Sequence, residues 1–387
     1  MIDNINKALI HDWYTQYRGG ERCVESFTNI WSDFDHYTLV NTLNDKECKK
    51  IFKGKKTTTS FIEKLPFGKT KYRLYLPFFP FAVEQFDLGD YELIISSSSC
   101  VAKGVLTRQD QLHITYMHSP VRYAWDLYQQ YLKESGFQKG IKGLIAKYFL
   151  HRLRLWDVAT AHRPDYYIAN SKYVAGRIKK IYNKEAKVIY PPVDTNAFEI
   201  SEETSDYYVT CSSMVPYKKV DLIVEAFTKI KTKLIVIGDG PDYKKIKKLC
   251  SDNIELKGYL DTRGKSEILK KAKAFIFAAE EDFGIAPVEA QACGVPVIAY
   301  AKGGILETIK GIFISENKVQ NPTGVFYKEQ TIESLLEGIQ FFEKNEDLFN
   351  REVIREHSKS FSKERFEREI KETVQQLYSQ WKRENNS

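Results

Sequence analysis

The sequence predicts an α/β protein built of two doubly wound, parallel-sheet domains, with a long helix at the end of the chain. Three observations predict it. At 387 residues the chain exceeds what one core of ordinary size organises, so two domains are expected. Apolar, β-branched runs alternate with helical patterns in both halves, the signature of parallel α/β layers. A polar, acidic stretch, VDTNAFEISEETSD, separates the two series. The expected division is 1–193 for the first domain, 194–206 for a linker and 207–361 for the second domain. Residues 362–387 form a C-terminal helix that returns to the first domain.

The elements follow in order. In the first half the strand candidates are KALIHDW (7–13), HYTLVN (36–41), YELIISS (91–97), LHITYMH (112–118), YYIANS (166–171) and AKVIYPP (186–192). Helical patterns such as GERCVESFTNIW and KYVAGRIKKIY lie between them. The second half restarts with YYVTCSS (207–213), KLIVIGD (233–239), IELKGY (254–259), AFIFAA (274–279), PVIAY (296–300) and GVFY (324–327). The last helix, 363–383, is amphipathic. In such sheets ligands bind beyond the carboxyl ends of the strands, so two domains facing across a cleft are expected.

Composition narrows the class. Hydrophobic residues make up 43% of the chain, ample for burial, and no long low-complexity tract argues for disorder. No apolar run reaches the roughly 18 residues that span a bilayer, and the first residues do not read as a signal peptide. The six cysteines are scattered with no CxxC pair, which suits a reducing cytoplasm and argues against disulfides or a zinc site. A cytoplasmic protein is expected. Charge is uneven: 29 Lys and Arg stand against 20 Asp and Glu up to Asp194, and 29 against 31 beyond it. The basic half suits an anionic lipid surface or a phosphate-bearing acceptor; no nucleic-acid partner is expected.

Chemistry concentrates in EEDFGIAPVEAQACGVPVIAYAKGG (280–304). AFIFAA reads as a buried strand, EEDFG as the loop at its carboxyl end and IAPVEAQAC as the next helix, with Pro287 in its first turn. Gly284 lets backbone approach a ligand, and the N–H groups at Ile285 make an anion site. Glu281 precedes that site and Glu289 lies a turn inside the helix. An anion between two carboxylates is explained if the acids bind hydroxyls on either side of it. A nucleotide-sugar has that shape.

The full string resembles the signature of glycosyltransferase family 4, the retaining GT-B enzymes. IHDWYTQYRGGERCVESF, ISSSSCVAKGV, YMHSPVRYAWDLY, YYIANSKYVAGRIKKIY, VIYPPVD, MVPYKKVDLIVEAF and LIVIGDGPDYKKIK extend the resemblance over most of the chain. It implies the GT-B fold of two Rossmann-like domains, with the acceptor on the first and the nucleotide-sugar donor on the second. It implies that Glu281 contacts the transferred sugar and Glu289 the ribose hydroxyls. Backbone at Phe283, Gly284 and Ile285 would hold sugar and diphosphate, and Lys218 would neutralise the leaving diphosphate. His118 would reach the donor sugar, and Gly19 and Gly20 would bring a helix N-terminus to phosphate and acceptor. Arg122 and Asn170 are read as structural first, with acceptor contacts as the alternative.

The chain departs from the family where an Arg usually stands five positions before the Lys: here it is Ser213. An Arg fork supplies both charge and geometry to a diphosphate. Lys219 or Arg122 could take over its role, or the chain could be a weakened or inactive relative. Asp33-Phe34-Asp35 matches a metal-binding DxD in letters, but it precedes its strand, so neither a metal nor another cofactor is expected. The GDGP turn lacks the GxGxxG of nicotinamide-binding proteins.

The stretch 45–73 carries ten Lys and Arg against three Asp and Glu. GFQKGIKGLIAKYFLHRLRLW (136–156) places Phe137, Ile141, Leu144, Ile145, Tyr148, Leu153 and Trp156 at helical spacing among cations. Such faces suit a helix resting on anionic lipid, or one packed on its own domain. HDW…GGER and HSPVRYAWDLY resemble stretches of bacterial mannosyltransferases of O-antigen and capsule assembly. The expectation is transfer of a hexose, mannose from GDP-mannose, to a lipid-linked glycan. The alternatives are a non-catalytic nucleotide-sugar-binding or scaffold subunit and a GT-B sugar-nucleotide epimerase.

Overall fold

The structure is a computed structural model that describes residues 2–314 and 319–385. Contacts divide the chain into two compact units, Met1–Pro192 with Phe366–Ser387 and Val193–Arg365.

The first unit carries seven strands: β1 (Lys7–His11), β2 (Asp35–Thr38), β3 (Thr57–Thr59), β4 (Leu93–Ser98), β5 (Leu112–Met117), β6 (Tyr166–Ala169) and β7 (Lys187–Val188). All neighbours are parallel, in the order β3-β2-β1-β4-β5-β6-β7. The order reverses between β1 and β4, which puts a switch point at their carboxyl ends. Every residue of β1, β4 and β5 is buried, as both faces of a covered parallel sheet require. Lys7 is tolerated inside because its Nζ donates to the Ile2 carbonyl at 2.9 Å and pairs with Asp33 at 2.7 Å. Asp35 pairs with Lys55 at 2.9 Å, so both acids of the DxD-like triplet are held by lysines.

The C-terminal helix runs Lys363–Asn385. Its Phe366, Ile370, Val374 and Tyr378 are buried in one cluster with Phe27 and Tyr116 of the first unit. Their spacing of four, four and four keeps them on one helical face.

The second unit repeats the plan with β8 (Tyr207–Cys211), β9 (Lys233–Ile237), β10 (Ile254–Gly258), β11 (Ala274–Phe277), β12 (Val297–Tyr300), β13 (Gly311–Phe313) and β14 (Gly324–Tyr327). The order is β10-β9-β8-β11-β12-β14-β13, again all parallel. Its switch point lies between β8 and β11. Its two ends are tied by a parallel bridge between Val193 and Ser362.

Two strands escaped the sequence reading. β3 is three threonines pairing only with β2, and β13 is three residues pairing only with β14. Edge strands this short carry no apolar alternation to detect. The stretch 194–206, read as a linker from its polarity, counts with the second unit. Phe198 within it is 1% exposed and packs in that unit's core, and one buried aromatic outweighs a run of acids.

Candidate active site

In the second unit the loop after β11 turns into the helix Ile285–Ala292 through Gly284, whose φ is 92°. No side chain caps this helix start, so its first N–H groups point to solvent or ligand. Phe283 is buried and meets the Phe361 ring edge-on at 5.6 Å, which anchors the loop. The loop is held from its other side by Gly303 and Gly304. The Gly304 N–H donates to the Glu281 carbonyl at 2.8 Å. A Cβ at Gly303 would come within 2.4 Å of that carbonyl oxygen, and one at Gly304 within 2.2 Å of Asp282's. The closing glycines of the signature are therefore part of the site, a role the sequence reading did not give them.

Glu281 forms an ion pair with Lys218, and both side chains are largely buried. Lys218 ends a short 3-10 turn, Pro216–Lys218, and Lys219 follows in the left-handed region at φ 55° before the helix Val220–Thr228. Ser213 lies just before, in the loop leaving β8, where the next residue's N–H (Met214) donates to the Asp239 carbonyl at 2.9 Å. Ser213, Lys218, Glu281 and Gly284 thus all sit on loops at the carboxyl ends of β8 and β11, the two strands of the switch point.

Glu289 differs from the expectation in its surroundings. It is 2% exposed, and its carboxylate pairs with Lys265 at 2.5 Å, from the helix Thr262–Leu269. The Lys265 ammonium also lies 5.8 Å from the Phe198 ring centroid. The acid that the resemblance gives to ribose hydroxyls has a cation inside the unit, and the sequence pattern gave no sign of Lys265.

In the first unit the helix Gly19–Ile30 begins beside the ends of β1 and β4. A Cβ on Gly20 would lie 3.2 Å from the His11 ring and 3.9 Å from His118 Nε2, so a larger residue there would press on the His11 ring. Glu21 closes a capping box by accepting from the Arg18 N–H at 3.0 Å, and its other oxygen lies 3.9 Å from His11 Nε2. His118, just past β5, contacts the Ser97 hydroxyl at 2.8 Å, and His11 contacts the same hydroxyl at 3.0 Å. Asn170 donates to the His118 carbonyl at 2.9 Å. Arg122 pairs with Asp126 at 3.2 Å, and Arg177 pairs with the same acid at 3.1 Å. The phenol of Tyr14, whose ring lies tilted against His11 with centroids 4.9 Å apart, is pushed well above its usual pKa by burial and then by the Glu21 charge.

Asp12 is a further residue the sequence reading passed over. One oxygen accepts from the N–H groups of Val101 and Ala102 at 2.7 and 2.8 Å. The other accepts from Ser99 and Cys100, at 2.5 and 2.9 Å. This buried carboxylate fixes the loop that leaves β4 directly after Ser98. A carboxylate directly after a fully buried strand is the signal that could have found it. Among the described residues no group of three or more His, Cys, Asp and Glu is arranged to hold a metal ion.

Two family models divide the chain. Glycosyltransferase Family 4 matches residues 17–197 and Glycosyl transferases group 1 matches 194–367. The chain belongs to glycosyltransferase family 4 and has the GT-B fold. It is 30% identical over 235 residues to an uncharacterized glycosyltransferase of Methanocaldococcus jannaschii, a match covering 58% of this chain and 62% of that one. It is 31% identical over 118 residues to a GDP-mannose-dependent monoacylated alpha-(1-6)-phosphatidylinositol monomannoside mannosyltransferase of Corynebacterium glutamicum, covering 26% and 31%. The chain therefore spans less than two thirds of these relatives. Among solved structures, Anabaena HepE in complex with UDP and glucose superposes with a TM-score of 0.66 at 16% identity, over 96% of this chain and 99% of that one.

Proposed function

We propose that the protein is a retaining glycosyltransferase that moves mannose from GDP-mannose to a lipid-linked oligosaccharide in cell-surface polysaccharide synthesis. The observation that carries the transferase reading is the Lys218–Glu281 pair beside the uncapped start of the helix Ile285–Ala292. The cation and the N–H groups serve the departing diphosphate, and Glu281 serves the sugar as positive charge develops on it. Attack on the face the diphosphate leaves gives retention. His118 is the histidine that the family resemblance assigns to the donor sugar, and no metal or other cofactor enters this reading. The mannosyl donor is supported by the corynebacterial relative and by the HDW and HSPVRYAWDLY blocks. The test is slow donor hydrolysis without acceptor across GDP- and UDP-sugars. GDP-mannose is expected to turn over fastest; a UDP-sugar preference would overturn the donor, and binding without turnover of any sugar would favour the scaffold reading that Ser213 prompts.

The lipid-linked acceptor is supported by exposed apolar groups of the first unit. The helix Gly140–Ala159 buries Leu150 and Leu153 in the same cluster that takes Tyr72 and Phe79. Its opposite face leaves Ile141 79% and Leu144 70% exposed, and Phe67 and Leu74 are 68% and 71% exposed. The stripe expected along 136–156 is thus split, with Leu153 turned inward and the earlier turns outward. Lys139, Lys142, Lys69 and Lys71 are exposed among these groups, the composition of an interfacial surface. No helix among the described residues is long and apolar enough to cross a membrane. The protein is expected to co-sediment with vesicles rich in anionic lipid and to be released by salt, and Ile141→Asp with Leu144→Asp is expected to abolish this. Binding indifferent to both would remove the peripheral-membrane reading.

A further inference from the structure

We infer that Ser97 and His11 set the tautomer of His118, so that its neutral ring presents an N–H donor at Nδ1 and never an acceptor there. His11 Nδ1 lies 3.1 Å from the Ser97 carbonyl oxygen and 3.0 Å from the Ser97 hydroxyl. A carbonyl oxygen only accepts, so His11 Nδ1 carries a proton and donates to both oxygens. The Ser97 hydroxyl has one proton, and it already accepts from His11. Its remaining contact is His118 Nε2 at 2.8 Å, so the hydroxyl donates there and Nε2 accepts. A neutral imidazole with an accepting Nε2 holds its proton on Nδ1. The direction is the same whether His11 is neutral or charged, because Nδ1 is protonated in both.

The network has little freedom to choose otherwise. Ser97 is fully buried and His11 is 5% exposed, so neither has water to trade for these bonds. Gly20 packs against the His11 ring, and Asn170 holds the His118 backbone. The loop after β4 is pinned by Asp12 through four backbone N–H groups. Ser97 is thus a positioning residue that makes His118 a hydrogen-bond donor, suited to a sugar hydroxyl or phosphate oxygen and unsuited to abstracting a proton through Nδ1. The tautomer stands on the geometry alone; its use in turnover rests on the transferase reading.

Two-bond proton–nitrogen correlation on the full chain labelled with 15N-histidine reads the tautomer directly, with His118→Gln assigning the signals. The expected pattern is protonated Nδ1 at His118, changing toward protonated Nε2 in Ser97→Ala and retained in Ser97→Thr, which keeps a hydroxyl. Protonated Nε2 in the unaltered protein would overturn the inference even if Ser97→Ala fails to fold. In donor hydrolysis, Ser97→Ala is expected to lower kcat about 10- to 100-fold with KM little changed. A changed tautomer with unchanged kcat would overturn the catalytic use, and absence of all turnover in the unaltered protein would indict the transferase reading, leaving the spectrum to decide the tautomer.

Discussion

Glu281→Gln is expected to lower donor turnover by about 10²–10³-fold, the loss that follows removal of one preorganised charge from a transition state. Affinity for the nucleoside diphosphate is expected to hold or rise. In the unaltered protein the Glu281 carboxylate offsets the Lys218 ammonium, and both side chains are largely buried. An amide removes that offset and leaves the cation to the diphosphate. Lys218→Met is expected to do the reverse, weakening the nucleotide as well as turnover. Comparing steady-state hydrolysis with calorimetric binding of GDP separates the two. Near-normal turnover in Glu281→Gln would remove Glu281 from the chemistry.

The largest effect on stability is expected at Asp157. Its carboxylate is fully buried and pairs with Lys103 at 3.1 Å, another fully buried side chain. Trp125 Nε1 donates to it at 2.8 Å and the Tyr182 hydroxyl at 2.9 Å, while Lys103 also donates to the Asp157 carbonyl and the Thr160 hydroxyl at 2.8 Å each. Burial works to lower the Lys103 pKa, and Asp157 is the chief influence opposing it. Asp157→Ala strips the lysine of its counter-charge and leaves two donors, Trp125 Nε1 and the Tyr182 hydroxyl, without their acceptor. The expected cost is about 3–5 kcal/mol, read as a lower urea midpoint for the first unit's transition. The double change Lys103→Met with Asp157→Leu is expected to recover part of it, since an apolar pair leaves no orphaned charge. Equal losses in the single and double variants would show that shape, and not charge, governs this site.

Most of the architecture was legible because parallel α/β layers impose two periods on the sequence. The buried strands read as apolar runs, and the amphipathic pattern of 363–383 marked the last helix. β3 and β13 were illegible because three-residue edge strands have no pattern. Within 194–206 the buried Phe198 is masked in the sequence by the acids around it. At the site, Glu281 and Gly284 were legible in one contiguous signature and Lys218 in the separate VPYKK block. His11, Asp12, Ser97 and Lys265 were not, since each acts on a residue far away in the chain.

The sequence by itself determined the two doubly wound sheets, the loop chemistry around Glu281 and the basic character of the first half. These depend on local period, composition and neighbouring letters. Only the tertiary structure decided that Glu289 faces Lys265, that Gly303 and Gly304 clasp the Glu281 loop, and that one serine hydroxyl joins His11 to His118. Such contacts bring together residues separated by 20 to 90 positions, and their hydrogen-bond directions are settled by burial and by the count of available protons.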